Sequence, residues 1–166
     1  YRFDDSENLL YVSLKRTEPG NSLNPPPHEA VKIILRPDIE SRNHHELTKA
    51  FQGPEDKWPA SVREREDGFV FSDQGNILYI AGSKGKFIRE DEWYYQIPHS
   101  IETERGMEGE GDLYSPGYFN FYLKGNEVVY LTAMVTDKEM PEDDNTMENQ
   151  LSDGLAGTAY DKRDGI

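Results

Sequence analysis

Between residues 93 and 119 the chain sets Trp93, Tyr94, Tyr95, Glu102, Arg105, Asp112 and Tyr114 at close spacing, among the turn residues Gly106 and Ser115-Pro116-Gly117. Aromatic faces beside carboxylates and a guanidinium are groups that hold sugars. Pyranose rings stack their apolar faces on Trp and Tyr, and their hydroxyls pair with charged and amide groups. The same residue types serve two other ends. Trp93 and Tyr95 can be core aromatics with Arg105 bridging Glu102 or Asp112, and aromatics with arginine are also enriched at protein interfaces.

Other chemistries find less to work with. The chain has no cysteine, which removes thiol nucleophiles, disulfides and cysteine metal sites together. There is no Gly-x-Ser-x-Gly elbow and no phosphate-cradling loop. Gly106, Gly109 and Gly111 have acids as neighbours that repel phosphate, and they read as a flexible loop. Glycoside hydrolysis requires two carboxylates at a set separation, and nothing among the 32 acidic residues selects a pair. His44 and His45 are adjacent, so in a strand they point to opposite faces and cannot share one ion. No metal-binding spacing surrounds them, and neither a metal nor a cofactor is expected.

The elements that must position these residues read as β throughout. Residues 9–14 and 31–35 are β-branched and aliphatic runs of strand length. The loop between them ends in Pro25-Pro26-Pro27, which cannot donate ladder hydrogen bonds. Asp67-Gly68, between 62–66 and 69–71, is the strongest hairpin signal. Gln74-Gly75-Asn76 precedes 77–80, residues 82–85 precede 86–88, and Lys124-Gly125-Asn126 separates 118–123 from 127–135. Turns this closely spaced predict an antiparallel meander, and hence an all-β fold, an antiparallel β-sandwich. Residues 93–119 are expected to form a long functional loop between strands. Residues 43–53 read either as a short helix capped by Asn43 and closed by Gly53, or as a strand extended over 42–48.

The net charge is −14, and twelve of those charges lie in two segments: 89–112 holds eight acids against two arginines, and 137–153 holds seven against one lysine. Without clustered Lys and Arg, nucleic acid is not an expected partner. From residue 140 large aliphatic side chains nearly vanish while Asp, Glu and Gly dominate, too little apolar surface to offset the entropy of ordering. The domain is therefore placed at 1–136 and an acidic, Gly-rich tail or linker at 137–166. No apolar run reaches the ~18 residues of a membrane span, and no signal-peptide pattern opens the chain. A cytoplasmic, membrane-free setting is expected. Because Tyr1 runs almost directly into strand-like sequence, a piece of a longer polypeptide lacking its first strands is expected, with an exposed edge favouring a homo-oligomer.

The order Trp93, Glu102-x-x-Arg105-Gly106, Asp112-Leu113-Tyr114-Ser115-Pro116-Gly117-x-Phe119 resembles the N-terminal domain of glycogen debranching enzymes of the bacterial and archaeal type. Upstream, Leu35-Arg36-Pro37 and Arg42-Asn43-His44-His45-Glu46-Leu47-Thr48 resemble that family's Arg-Pro segment and its Arg-Asp-aromatic-His-x-Leu-Thr motif. Asn43 stands for the usual Asp, His44 for the usual aromatic, and Gly111 where an acid commonly precedes Asp-Leu. The resemblance covers roughly residues 1–135. It implies a supersandwich-like β domain of the kind that precedes (α/α)6-barrel glucosidases, with no catalytic residue in this chain. It further implies a parent protein that hydrolyses α-1,6 branches of glycogen or a related α-glucan, with the glucan and the catalytic helical barrel as partners. On the same basis Arg105, Asp112 and Tyr114 belong to a structured loop facing the barrel or the substrate, and Arg42 with His45 holds the neighbouring strand end. The rival readings are a stand-alone carbohydrate-binding module with Trp93, Tyr94 and Tyr95 as an exposed platform, and an interaction module that binds another protein or a second copy.

Overall fold

A computed structural model describes residues 2–4, 9–15, 30–43, 46–125 and 127–137. Pro25-Pro26-Pro27, His44, His45 and all but the first residue of 137–166 lie outside the described residues. The strands are β1 (Arg2–Asp4), β2 (Leu9–Lys15), β3 (Val31–Leu35), β4 (Val62–Glu64), β5 (Gly68–Asp73), β6 (Asn76–Gly82), β7 (Lys86–Pro98), β8 (Glu110–Leu123) and β9 (Val128–Thr136). They form two antiparallel sheets: a six-stranded one ordered β1-β2-β9-β6-β5-β4 and a three-stranded one ordered β3-β8-β7. The β-sandwich expected from the sequence is therefore the fold.

Period-2 alternation explains the packing. Val62, Phe69, Phe71, Leu78, Ile80, Val129 and Leu131 turn inward from the large sheet, and meet Ile33, Leu35, Phe87, Phe119, Phe121 and Leu123 of the small one. Phe69 and Phe87 bridge the two sheets with ring centroids 4.8 Å apart. Each such side chain removed from water contributes roughly 1.5–3 kcal/mol. The other face of the large sheet is also covered, with Val70, Tyr79, Ala81 and Met134 buried.

Asp67-Gly68 and Gln74-Gly75 do join hairpins, β4 to β5 and β5 to β6. The connections at 82–85 and 124–126 do not. Each carries the chain from one sheet to the other, because β6 and β9 belong to the large sheet and β7 and β8 to the small. At the first crossing Gly85 passes so close to β8 that a Cβ there would lie 2.6 Å from the Asn120 carbonyl oxygen. Glu127 links the two crossings, accepting the Lys124 amide at 2.9 Å and pairing with Lys84.

The expected long loop at 93–119 is also corrected: β7 runs to Pro98, β8 starts at Glu110, and only the short helix α2 (Ser100–Glu104) and its flanks lie between. Two β-bulges in β7, between Arg89 and Glu92 and between Tyr94 and Ile97, break the alternation that would mark a strand. Pro116 falls opposite the first bulge, between the pairs Arg89↔Gly117 and Glu92↔Ser115, where a missing N–H is tolerated. Gly109 and Gly111 are packed rather than flexible; a Cβ would lie 1.7 Å from Thr103 Oγ1 and 2.8 Å from His99 Nε2 respectively.

Residues 43–53 form neither of the expected elements as drawn. Asn43 and Glu46 close a turn, with Glu46 N donating to Asn43 O at 3.1 Å and Asn43 Nδ2 to Glu46 Oε2 at 2.9 Å. Helical turns come later: a 3-10 turn at Ala50–Gln52, α1 (Pro54–Lys57) and a second 3-10 turn at Pro59–Ser61. Gly53, at φ +123°, lies between the first two.

Candidate functional site

The aromatic run at 93–95 divides between the two faces of β7. Trp93 points inward, half-buried against the core, with Tyr114 beneath it at 5.1 Å between ring centroids. Trp58, fully buried just after α1, stacks on Trp93 at 5.4 Å and 25°. Tyr95 continues the stack outward at 6.5 Å and 20° from Trp93. A ladder thus runs from the core through Trp58 and Trp93 to Tyr95, a residue 53 % exposed. The Tyr95 hydroxyl donates to Glu55 Oε1 of α1 at 2.6 Å, and this bond pushes the phenol pKa upward.

Tyr94 faces the other way. Its hydroxyl donates to Glu92 at 2.9 Å, within an ion-pair cluster in which Arg36 meets Glu90 and, at 3.3 Å, Glu92. The Arg36 guanidinium also lies 5.4 Å over the Tyr118 ring. Asp38 nearby is pushed upward in pKa by burial, against the pull of Arg36. The three neighbouring aromatics therefore do not form one platform.

Asp112 is buried and engaged with backbone. Its Oδ2 accepts the Ala50 amide at 2.8 Å and its Oδ1 the Gln96 amide at 2.9 Å, while its own amide donates to Thr48 O at 2.8 Å. Gln96 sits in the second bulge with φ +57°, a left-handed conformation that an amide held by a buried carboxylate helps to fix. Tyr114 is wholly buried and bridges to Ile39 through its backbone. Its hydroxyl donates to Asp91, and burial first, then that bond, push its pKa far upward. Arg89 completes this network, donating to Asp91 at 3.1 Å and to the Val62 carbonyl at 3.1 Å.

Glu102 and Arg105 lie on α2 and at its end, and neither side chain has a hydrogen-bond or ion-pair partner among the described residues, so the bridges from Arg105 to Glu102 or Asp112 are not formed. Arg42 binds Glu40 Oε2 at 3.0 Å and the Glu46 carbonyl at 2.7 Å, which holds the segment before the first 3-10 turn. Its proposed companion His45 is outside the described residues. Arg42 also lines an open cleft of about 330 Å³ with Lys49, Gln52, Lys57, Trp58 and Gln74. Glu55, which accepts the Tyr95 hydroxyl, and Trp58, which stacks on Trp93, were not singled out in the sequence, nor was Phe51, exposed in the 3-10 turn. The only signal there is that Trp58 is one of two tryptophans, set in a Pro54 to Pro59 stretch with no strand pattern.

No helix among the described residues is long and apolar enough to cross a membrane. A family model described as glycogen debranching enzyme N terminal matches residues 3–130. No curated protein and no solved structure gives a match.

Proposed function

We propose a function from one premise: the chain belongs to the glycogen debranching enzyme N-terminal family. In a glycogen debranching enzyme-like protein of the cytoplasm it serves as a noncatalytic β domain that offers an aromatic contact to an α-glucan and packs beside the catalytic helical barrel. Hydrolysis of α-1,6 branches in glycogen or a related α-glucan belongs to the barrel.

The observation that carries this reading is Tyr95, exposed on its outer side and stacked on Trp93 and Trp58 behind. A ring backed by Trp93, which Trp58 backs in turn, presents an apolar face, which is what a pyranose needs. Glu55, beside the Tyr95 hydroxyl, Glu102 on α2 and Arg105 at its end supply groups for sugar hydroxyls or for the barrel surface. Packing against a second domain is favoured by the outer face of the small sheet, where Ile34, Ile88 and Tyr122 stay exposed.

Calorimetric titration with glycogen and a branched maltodextrin tests the glucan contact. The protein binds weakly, as one aromatic platform does, and Tyr95→Ala abolishes the heat while leaving the fold intact. Trp93→Ala is the poorer control, because it opens the stack against Trp58 and Tyr114. Absence of binding by the folded wild-type chain would overturn the glucan contact and leave only the packing role.

A further inference from the structure

We infer that Phe51 is a second contact for the same α-glucan, held at a fixed separation from Tyr95 by the buried Asp112 carboxylate; this rests on the reading of Tyr95 as a glucan contact. Phe51 is 76 % exposed, the most exposed large hydrophobic side chain among the described residues. A lone exposed phenylalanine is ordinary. Its backbone distinguishes this one. Ala50, the residue before it, is buried and donates its amide to Asp112 Oδ2 at 2.8 Å. The turn is closed by Gln52 N to Lys49 O at 3.1 Å and Gly53 N to Ala50 O at 3.2 Å.

The other oxygen of the same carboxylate accepts the amide of Gln96 at 2.9 Å, next to Tyr95. Two hydrogen bonds to the two oxygens of one carboxylate keep the Ala50 and Gln96 nitrogens within about 8 Å of each other. Glu55, four residues beyond Phe51, supplies a second tie by accepting the Tyr95 hydroxyl. Phe51 makes no ring contact with Tyr95, so the backbone ties through the buried carboxylate rather than mutual packing relate the two. A pair fixed in advance loses little freedom when it binds.

The neighbours favour a sugar chain over a protein. Gln52, Glu55, Asp56 and Gln96 are exposed beside the two aromatics. Protein interface cores are depleted in such carboxylates, whereas a glucan alternates apolar ring faces with hydroxyls that carboxylates and amides accept or donate to.

The test is titration of the 166-residue chain with maltose and with maltoheptaose, in wild type, Tyr95→Ala, Phe51→Ala and Phe51→Trp, with thermal melts showing each variant folded. Phe51→Ala weakens maltoheptaose binding about tenfold, the scale of one aromatic contact. Maltose binding falls less, since a disaccharide spans less of the pair than a long chain does, and Phe51→Trp restores the long ligand. If Tyr95→Ala loses binding while Phe51→Ala binds maltoheptaose like wild type, the inference is overturned and the Tyr95 reading stands. If wild type binds neither sugar, or Tyr95→Ala binds both unchanged, the Tyr95 reading falls and this inference with it. If Phe51→Ala instead abolishes a concentration-dependent mass in light scattering and leaves sugar binding alone, Phe51 belongs to an interface between copies and the inference is overturned.

Discussion

Tyr114 shows how a residue singled out for its chemistry can be engaged elsewhere. Its ring closes the core under Trp93, and its hydroxyl is given to Asp91, itself held by Arg89. Burial, and secondly Asp91, raise the phenol pKa above its ordinary 10.0. In the unfolded chain the phenol ionises near 10, while in the folded chain it keeps its proton, so the native state binds more protons above that pH. Stability contributed by Tyr114 is therefore full below about pH 10 and is lost as pH rises beyond it. Tyr114→Phe is expected to flatten this alkaline decline, at a cost of about 1 kcal/mol near neutral pH for the missing hydrogen bond. Urea midpoints of wild type and variant at about pH 8 and about pH 11 measure both effects; equal alkaline losses in the two proteins would show that Tyr114 is not their source. The sequence singled out Tyr114 and Asp112 as residues of a loop facing a barrel or substrate. It did not disclose that both are buried, because Asp91 lies 23 positions from Tyr114, and Ala50 lies 62 from Asp112.

At the scale of elements, one carboxylate ties the β7-β8 ladder to a piece outside it: Asp112 on β8 holds the bulge in β7 at Gln96 and the 3-10 turn at Ala50. Asp112→Ala leaves two amides without their acceptor, the Ala50 amide in a buried place and the Gln96 amide in a half-buried one. A loss of roughly 2–4 kcal/mol is expected, read from chemical denaturation. A value under half a kcal/mol would mean that water replaces the carboxylate freely. The hairpins β4-β5 and β5-β6 were legible because two-residue turns with glycine state their geometry locally. The crossings at 82–85 and 124–126 were not, since a glycine turn looks alike whether the next strand pairs back or leaves for another sheet. The long β7 was missed for a related reason. Alternation is the signal for a strand, and each bulge shifts it by one residue.

For the whole molecule, a charge of −14 opposes contact through Ile34, Ile88 and Tyr122, which stay exposed on one sheet face among Lys32, Lys86 and Asn120. Charge repulsion weakens as salt shortens the Debye length, while apolar contact does not. Light scattering of the chain should show mass rising with concentration, more steeply at high salt, and Ile34→Lys should return it to the monomer. A strict monomer at every salt concentration would leave that face without a role in self-association. The sandwich class could be read from the chain because alternation and turn residues are local, whereas the order of strands could not, since it depends on which distant faces fit. That order has a consequence in time. β9 sits between β2 and β6 and pairs with both, so among the described strands it alone connects the first hairpin to the β4-β5-β6 meander. As the ribosome delivers the chain, the large sheet stays in two halves until residue 136 has emerged. Contacts of that sequence separation form slowly, and meanwhile Leu14 and Ile80 lack the strand that later lies between them. A nascent chain halted before β9 is thus the species most in need of a chaperone.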